Sequence, residues 1–327
     1  MRLVGDEYAP WAGIKPEDAA EIAKHLADDG RIDFISVTSG SIYTGHLTRP
    51  GLYQPPGFAV HLAALIKAAV ALPVFAQGSI VDPGMAAALL VEGKADAVEM
   101  TRALIADPEL PAKLRQNRID DIRPCLLANQ DNIIGLVQNP RLSCANHPAA
   151  GHEGEAEFTP LIPARNPHQV LVVGGGPAGL EAARVAALRD HRVTLYERSQ
   201  RLGGAVRLAA AAPGRERLAL AVDWLETQIR KLDVSVRFGV EATEDIVRRE
   251  APEIVIVAVG GKSNRWAEVR YPESVPVLTP RQVLGGEVPA SPGRAVVLDA
   301  IGDPVGMGVA EWLAERGWQV EVVTSDM

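Results

Sequence analysis

Two cysteines, Cys125 and Cys144, are all that 327 residues contain, too few for a disulfide-built scaffold and in keeping with a reducing compartment. No apolar run reaches the roughly 20 residues that span a bilayer, and no basic-then-apolar leader opens the chain. Basic residues are scattered, and 33 Lys and Arg against 41 Asp and Glu give a formal charge of -8 with a pI near 5.5. The electrostatic footprint of a nucleic-acid binder is therefore missing. These absences leave a cytoplasmic enzyme without a membrane or nucleic-acid partner as the expectation. The length suits more than one domain, and 47% hydrophobic residues with a mean hydropathy of +0.04 fill ordinary cores.

What the chain does have is one dense glycine stretch. The apolar run from Gln169 stops at Gly174, Gly176 and Gly179, with Pro177 and Ala178 between them, and an alanine-rich helical pattern begins at once. This is G-x-G-x-x-G in the strand-turn-helix context that gives it meaning. The first glycine lets the chain turn, the second admits a pyrophosphate to the backbone, and the third lets helix and strand pack closely. Free amides and the positive end of the helix dipole then face the phosphates. A second apolar strand from His191 ends in Glu197, eighteen residues beyond Gly179, where a carboxylate can accept both ribose hydroxyls. Arg198-Ser-Gln-Arg-Leu-Gly203-Gly204 follows directly. This order is similar to the FAD-binding domain of the two-dinucleotide-binding-domain flavoproteins. A plain Rossmann domain for NAD, or an empty one, is the other reading.

The first 120 residues alternate short strands and helices. Strands are expected at Arg2 to Val4, Ile32 to Val37, Pro73 to Ala76 and Ala97 to Met100. Helices are expected at Pro16 to Asp28, Phe58 to Ala69, Pro83 to Val91 and Asp107 to Arg115. Repeated βα units suit a (β/α) barrel or an open doubly wound sheet. Gln77-Gly78-Ser79-Ile80 and Thr101-Arg102 fall at C-terminal strand ends, where barrel loops commonly hold a phosphate. The alternative is that Gly78 and Ser79 only turn the chain into the next helix.

Val74-Phe-Ala-Gln-Gly-Ser-Ile-Val-Asp and Gly93-Lys-Ala-Asp-Ala-Val-Glu-Met-Thr-Arg-Ala-Leu-Ile-Ala-Asp-Pro-Glu-Leu resemble the last two barrel units of the old yellow enzyme-like flavoproteins. The branch most resembled includes 2,4-dienoyl-CoA reductase and trimethylamine dehydrogenase, with Gly5-Asp-Glu-Tyr-Ala-Pro-Trp-Ala-Gly and Pro55-Pro-Gly-Phe58 similar to its mycofactocin-associated members. The resemblance spans nearly the whole chain. It implies that Arg2 approaches the N1 and C2 carbonyl side of an FMN ring, and that Gly78, Ser79, Thr101 and Arg102 hold its phosphate. The family usually has a basic residue where Ser79 stands. Either Tyr43 or His46 is the implied proton donor, with a surface loop role as the alternative for each.

In the family a four-cysteine [4Fe-4S] segment follows the barrel. Here Cys125 and Cys144 remain, while Ala128 and Asp131 or Asn132 replace the other two, so a cluster of the usual kind is not expected. Further on, a buried strand is expected at Glu253 to Val259, ending in Gly260-Gly261, with Ala258-Val259-Gly260 as the implied counterpart of the family's turn against FAD. Arg294 to Leu298, the loop Asp299-Ala-Ile-Gly302-Asp-Pro-Val-Gly306-Met-Gly308, a helix to Arg316 and a strand at Gln319 to Val323 resemble the start of a nested NAD(P) domain. An inert βαβ unit is the other reading.

The fold expected is α/β: the C-terminal half of a (β/α)8 TIM barrel over 1–122, a degenerate iron-sulfur segment and linker over 123–168, an FAD-type domain over 169–290 and the opening of an NAD(P) domain over 291–327. The chain reads as the middle of a longer enzyme. The resemblance implies hydride transfer from NAD(P)H through flavins to an unsaturated or carbonyl-bearing small molecule. The competing reading is a truncated, inactive product that at most binds a dinucleotide. Exposed barrel edges imply self-association or a complementary fragment as partner.

Overall fold

Pro16 stands at the first turn of a helix, where its missing N–H costs nothing, and Asp18 accepts a hydrogen bond from Lys15 N at 3.2 Å. The helix that starts there, Pro16–Asp28, is the first of those covering the N-terminal sheet. The computed structural model describes residues 1–129, 142–155, 158, 161–261, 272, 274–300 and 302–324. Asp131 and Asn132 lie outside them. The chain forms two compact units, Met1–Thr159 and Pro160–Met327.

In the first unit four parallel strands, β1 (Arg2–Val4), β2 (Ile35–Thr38), β3 (Val74–Ala76) and β4 (Ala97–Val98), pair in chain order. Leu3, Ile35, Val37, Val74 and Ala76 face one core. It is shared with Ala19 and Ala23 of helix Pro16–Asp28, Leu62 and Ile66 of helix Val60–Ala69, and Leu89 of helix Pro83–Val91. Unbroken strand order with the helices on one face is the arrangement of a (β/α) barrel, not of a sheet wound in both directions. The other face, by the alternation of side chains along a strand, carries Arg2, Ser36 and Phe75. Phe34 stacks on Phe75 there, with ring centroids 4.6 Å apart.

The helix expected at Asp107 to Arg115 begins later, as Leu110–Arg115, and a helix that was not expected, Thr101–Ala106, precedes it and ends at Asp107. Asp107 precedes a proline, which disfavours helical backbone, and its carboxylate accepts from Glu109 N at 3.1 Å instead.

In the second unit the strand order is β7 (Ser235–Phe238), β6 (Arg192–Glu197), β5 (Gln169–Val173), β8 (Ile254–Val257), all parallel. The chain starts in the middle of this sheet and later crosses to its other side, so β5 and β8 flank a switch point, where open α/β sheets bind ligands. Strand β8 corrects the expectation of a buried strand: Ile254 and Val255 are each 39% exposed and Val257 70%. It is an edge strand, packed on the core through Ile256 and exposed along the rest of its length. A separate pair, β9 (Arg294–Asp299) and β10 (Gln319–Thr324), is joined through helix Pro304–Ala314. No described helix is long and apolar enough to cross a membrane.

Candidate functional site

The glycine fingerprint forms a close-packed turn beside an open cradle. Gly174 ends β5 at φ +108, and a Cβ there would lie 2.3 Å from Ala258 O on β8's continuation. A Cβ at Gly179 would lie 1.9 Å from Gly174 O. Around Gly176, by contrast, a Cβ would meet nothing within 4 Å. Gly176 is the N-cap of the helix Pro177–Leu188, with Pro177 at its first position and Ala178 exposed beside it. The packed glycines thus let strand and helix approach, while Gly176 leaves its side of the helix N-terminus open.

Glu197 closes the cradle from β6. Its carboxylate accepts from Gly175 N at 2.7 Å and from Ser199 N at 2.8 Å. Burial works against the charge, but the Ser199 and Gly175 donors, with exposed Arg198 nearby, outweigh it and hold the carboxyl below the usual glutamate range. The second glycine pair folds over the same turn: Gly203 N donates to Gly175 O at 2.8 Å, and a Cβ on Gly204 would stand 3.3 Å from Gly176 Cα. Gly175 went unremarked in the sequence, yet a side chain there would strike Leu202 at 2.5 Å. The signal was the unbroken Gly174-Gly175-Gly176 run. Gly260 lies beyond β8, exposed and at φ +73.

The loop after β9 has a different chemistry. Asp299, buried, accepts from Gly302 N at 3.0 Å, and a Cβ on Gly306 would lie 2.7 Å from the same carboxylate. Asp303 caps the following helix by accepting from Val305 N and Gly306 N.

On the barrel half, Ser79 follows Gly78 in left-handed backbone, φ +59 after φ +119. Arg102 reaches Ser79 Oγ at 2.5 Å, Asn129 Oδ1 at 2.7 Å and Pro50 O at 2.7 Å. Burial pushes the Arg102 guanidinium below its usual value, and neighbouring Cys125 acts the other way. Thr101 opens the helix beside it and is exposed. The structure thus brings Ser79 and Arg102 together. Tyr43 and His46 stand apart on the loop after β2, both exposed, with the Tyr43 ring edge-on to Trp11 at 6.1 Å.

Arg2 is not alone on the inner face. Its Nη2 lies 3.0 Å from Glu99 Oε2, Gln77 Nε2 donates to the same oxygen at 2.7 Å, and Ser36 Oγ donates to Glu99 Oε1. Glu99 was not singled out in the sequence, because only the register of four parallel strands brings it to Arg2.

Cys125 is buried and Cys144 half-buried, and both line a cavity of about 30 Å³ with Arg102, Leu126, Leu127 and Ala128. Among the described residues no group of three or more His, Cys, Asp or Glu side chains is placed to hold a metal.

Residues 11–121 match the NADH:flavin oxidoreductase / NADH oxidase family, and residues 172–232 match the NAD(P)-binding Rossmann-like domain. The chain is 38% identical to an NADH oxidase of Thermoanaerobacter brockii over 99% of its length and 49% of that protein. It is 36% identical to the N,N-dimethylglycine/sarcosine dehydrogenase of Chromohalobacter salexigens, covering all of this chain and 48% of that one. A solved 2-naphthoyl-CoA reductase superposes with a TM-score of 0.90 at 32% identity, over 98% of this chain and 48% of its own. The chain therefore spans about half the length of the relatives it matches, and over that half it belongs with the old yellow enzyme-like flavoprotein oxidoreductases.

Proposed function

We propose that the chain is part of a flavin-dependent NAD(P)H oxidoreductase that reduces an unsaturated or carbonyl-bearing small molecule. FAD is the cofactor assigned to the Gly174–Gly204 cradle, FMN to the C-terminal strand ends of the first sheet, and NAD(P)H to the Asp299–Gly308 loop. The observation that carries the reading is the contrast between Gly174 and Gly179, where no Cβ fits, and Gly176, where a Cβ meets nothing within 4 Å, next in sequence to Gly175, whose amide Glu197 accepts. That is the shape a pyrophosphate needs, with the ribose reaching the carboxylate. The names of the relatives, an NADH oxidase and a 2-naphthoyl-CoA reductase, support the nicotinamide donor and the unsaturated acceptor.

Bound flavins would supply the hydride relay itself, and the protein supplies placement and charge. Gly176 and the N-terminal amides of its helix receive the pyrophosphate, and Glu197 accepts the ribose hydroxyls. Arg198, Gly203, Gly204 and Gly260 border that cofactor, Gly302 turns the chain toward the nicotinamide dinucleotide, and Gly306 lets the following helix close on Asp299. For FMN, Gly78, packed against Ala59, turns the backbone, Ser79 and Thr101 offer hydroxyls and Arg102 its charge, while Arg2 approaches the ring. Tyr43 or His46 donates the proton at the acceptor. A [4Fe-4S] cluster does not fit: only two thiols reach a cavity of about 30 Å³, and Ala128 offers no ligand.

The test is flavin content after gel filtration in wild type and Gly176→Val. Loss of FAD in the variant, with folding retained, is the expected outcome. Equal flavin in both would remove the cradle from the account.

A further inference from the structure

Of the charged groups on the inner face of the barrel sheet, the arginine read as facing a flavin is tied to a carboxylate that enters from the far strand. Glu99 follows β4 and Arg2 begins β1, ninety-seven positions earlier, with β2 and β3 between them. The four residues in the cluster come one from each strand or from the residue just past it: Arg2, Ser36, Gln77 and Glu99. Every hydrogen bond among Arg2, Ser36 and Gln77 and their shared acceptor ends on Glu99, apart from a longer Gln77 to Ser36 contact at 3.4 Å.

The two ends of the ion pair differ in exposure. The Glu99 side chain is 24% exposed and that of Arg2 is 66%. Glu99 is therefore the anchored member, held by a hydroxyl and an amide as well as by the guanidinium. Arg2 is the presented one, since its other guanidinium donors have no protein partner among the described residues. A carboxylate at 3.0 Å opposes the charge Arg2 offers to anything resting on that face.

We propose that Glu99 is a positioning residue that fixes Arg2 and lowers the effective positive charge it presents to a flavin ring over β1–β4. This rests on the FMN assignment above. A reduced flavin carries more negative charge than an oxidised one, so it gains most from an unopposed cation. Glu99 thus narrows the difference in affinity between the two forms and keeps the bound flavin readier to give up electrons. Ser36 and Gln77 serve by holding the carboxylate where it meets Arg2.

An opposite charge within a few ångströms biases a charged form by one to three decades, and the low end, about tenfold, suits a pair this exposed. The experiment measures dissociation constants for oxidised FMN in air and for reduced FMN under argon, in the full chain carrying Gly176→Val so that the FAD cradle is silent. Glu99→Gln keeps shape and removes charge, and Glu99→Asp keeps charge. The expected result is an oxidised-to-reduced ratio about tenfold higher in Glu99→Gln, equivalent to about 30 mV for a two-electron couple, with Glu99→Asp close to the parent. The same ratio in all three proteins overturns the proposal, as does an equal shift in Gln and Asp variants, which would make the effect one of shape. FMN bound by none of them overturns the FMN assignment and this inference with it.

Discussion

A single methyl group placed at two glycines three residues apart separates packing from binding. In Gly179→Ala the new Cβ would lie 1.9 Å from Gly174 O, about 1.4 Å inside the ~3.3 Å at which carbon and oxygen normally meet. It would also press on Ala258 Cβ at 3.3 Å, so the helix Pro177–Leu188 cannot simply tilt toward β8. Backbone must move, and the cost is about 3 kcal/mol, the upper end of ordinary overpacking. For a unit of this size that is a fall in Tm of roughly 6–12 °C. In Gly176→Ala the methyl meets nothing within 4 Å and φ is -77°, which any residue adopts. Alanine is a poorer N-cap than glycine, but it also restricts the unfolded chain, and the two effects offset to within about 1 kcal/mol. Thermal unfolding of both variants without cofactor, followed by far-ultraviolet dichroism, is the assay. A Tm for Gly179→Ala equal to wild type, or an equal loss in Gly176→Ala, would refute the packing argument.

The Glu197 carboxyl is held below its unfolded value, so its contribution to stability is complete above about pH 4.3 and is lost as pH falls through the folded pKa. Glu197→Gln should therefore lower stability at pH 7 and flatten the acid limb of the Tm-against-pH curve; parallel curves for the two proteins would speak against it. Iron-sulfide reconstitution under argon should leave no chromophore that survives desalting, and four irons per chain that depend on Cys125 would show that a cluster forms.

The dinucleotide turn was legible in sequence because its chemistry is local. Gly174, Gly176, Pro177, Gly179 and Glu197 lie within two strands and one helix, and Gly174 and Gly179 each answer a steric demand of the turn itself. Much of the barrel half was legible for a similar reason: helices Pro16–Asp28 and Pro83–Val91 begin at prolines. Helix Thr101–Ala106 was missed because Thr101-Arg102 was read as a loop, and the helix after it starts later than expected because Asp107 and Pro108 hold the backbone out of helical form. The exposure of β8 was missed because an apolar run such as Ile254-Val-Ile-Val257 does not state what covers it. Glu99 was missed for the deepest reason, since its partners Arg2, Ser36 and Gln77 become neighbours only through the register of four strands.

Whether the Gly174–Glu197 cradle holds FAD is decided by incubating the chain with equimolar FAD and FMN, passing it through gel filtration, and identifying the flavin released on heating. The account predicts one FAD per chain, absent in Gly176→Val; a chain that retains no FAD, or retains it equally in the variant, would contradict it.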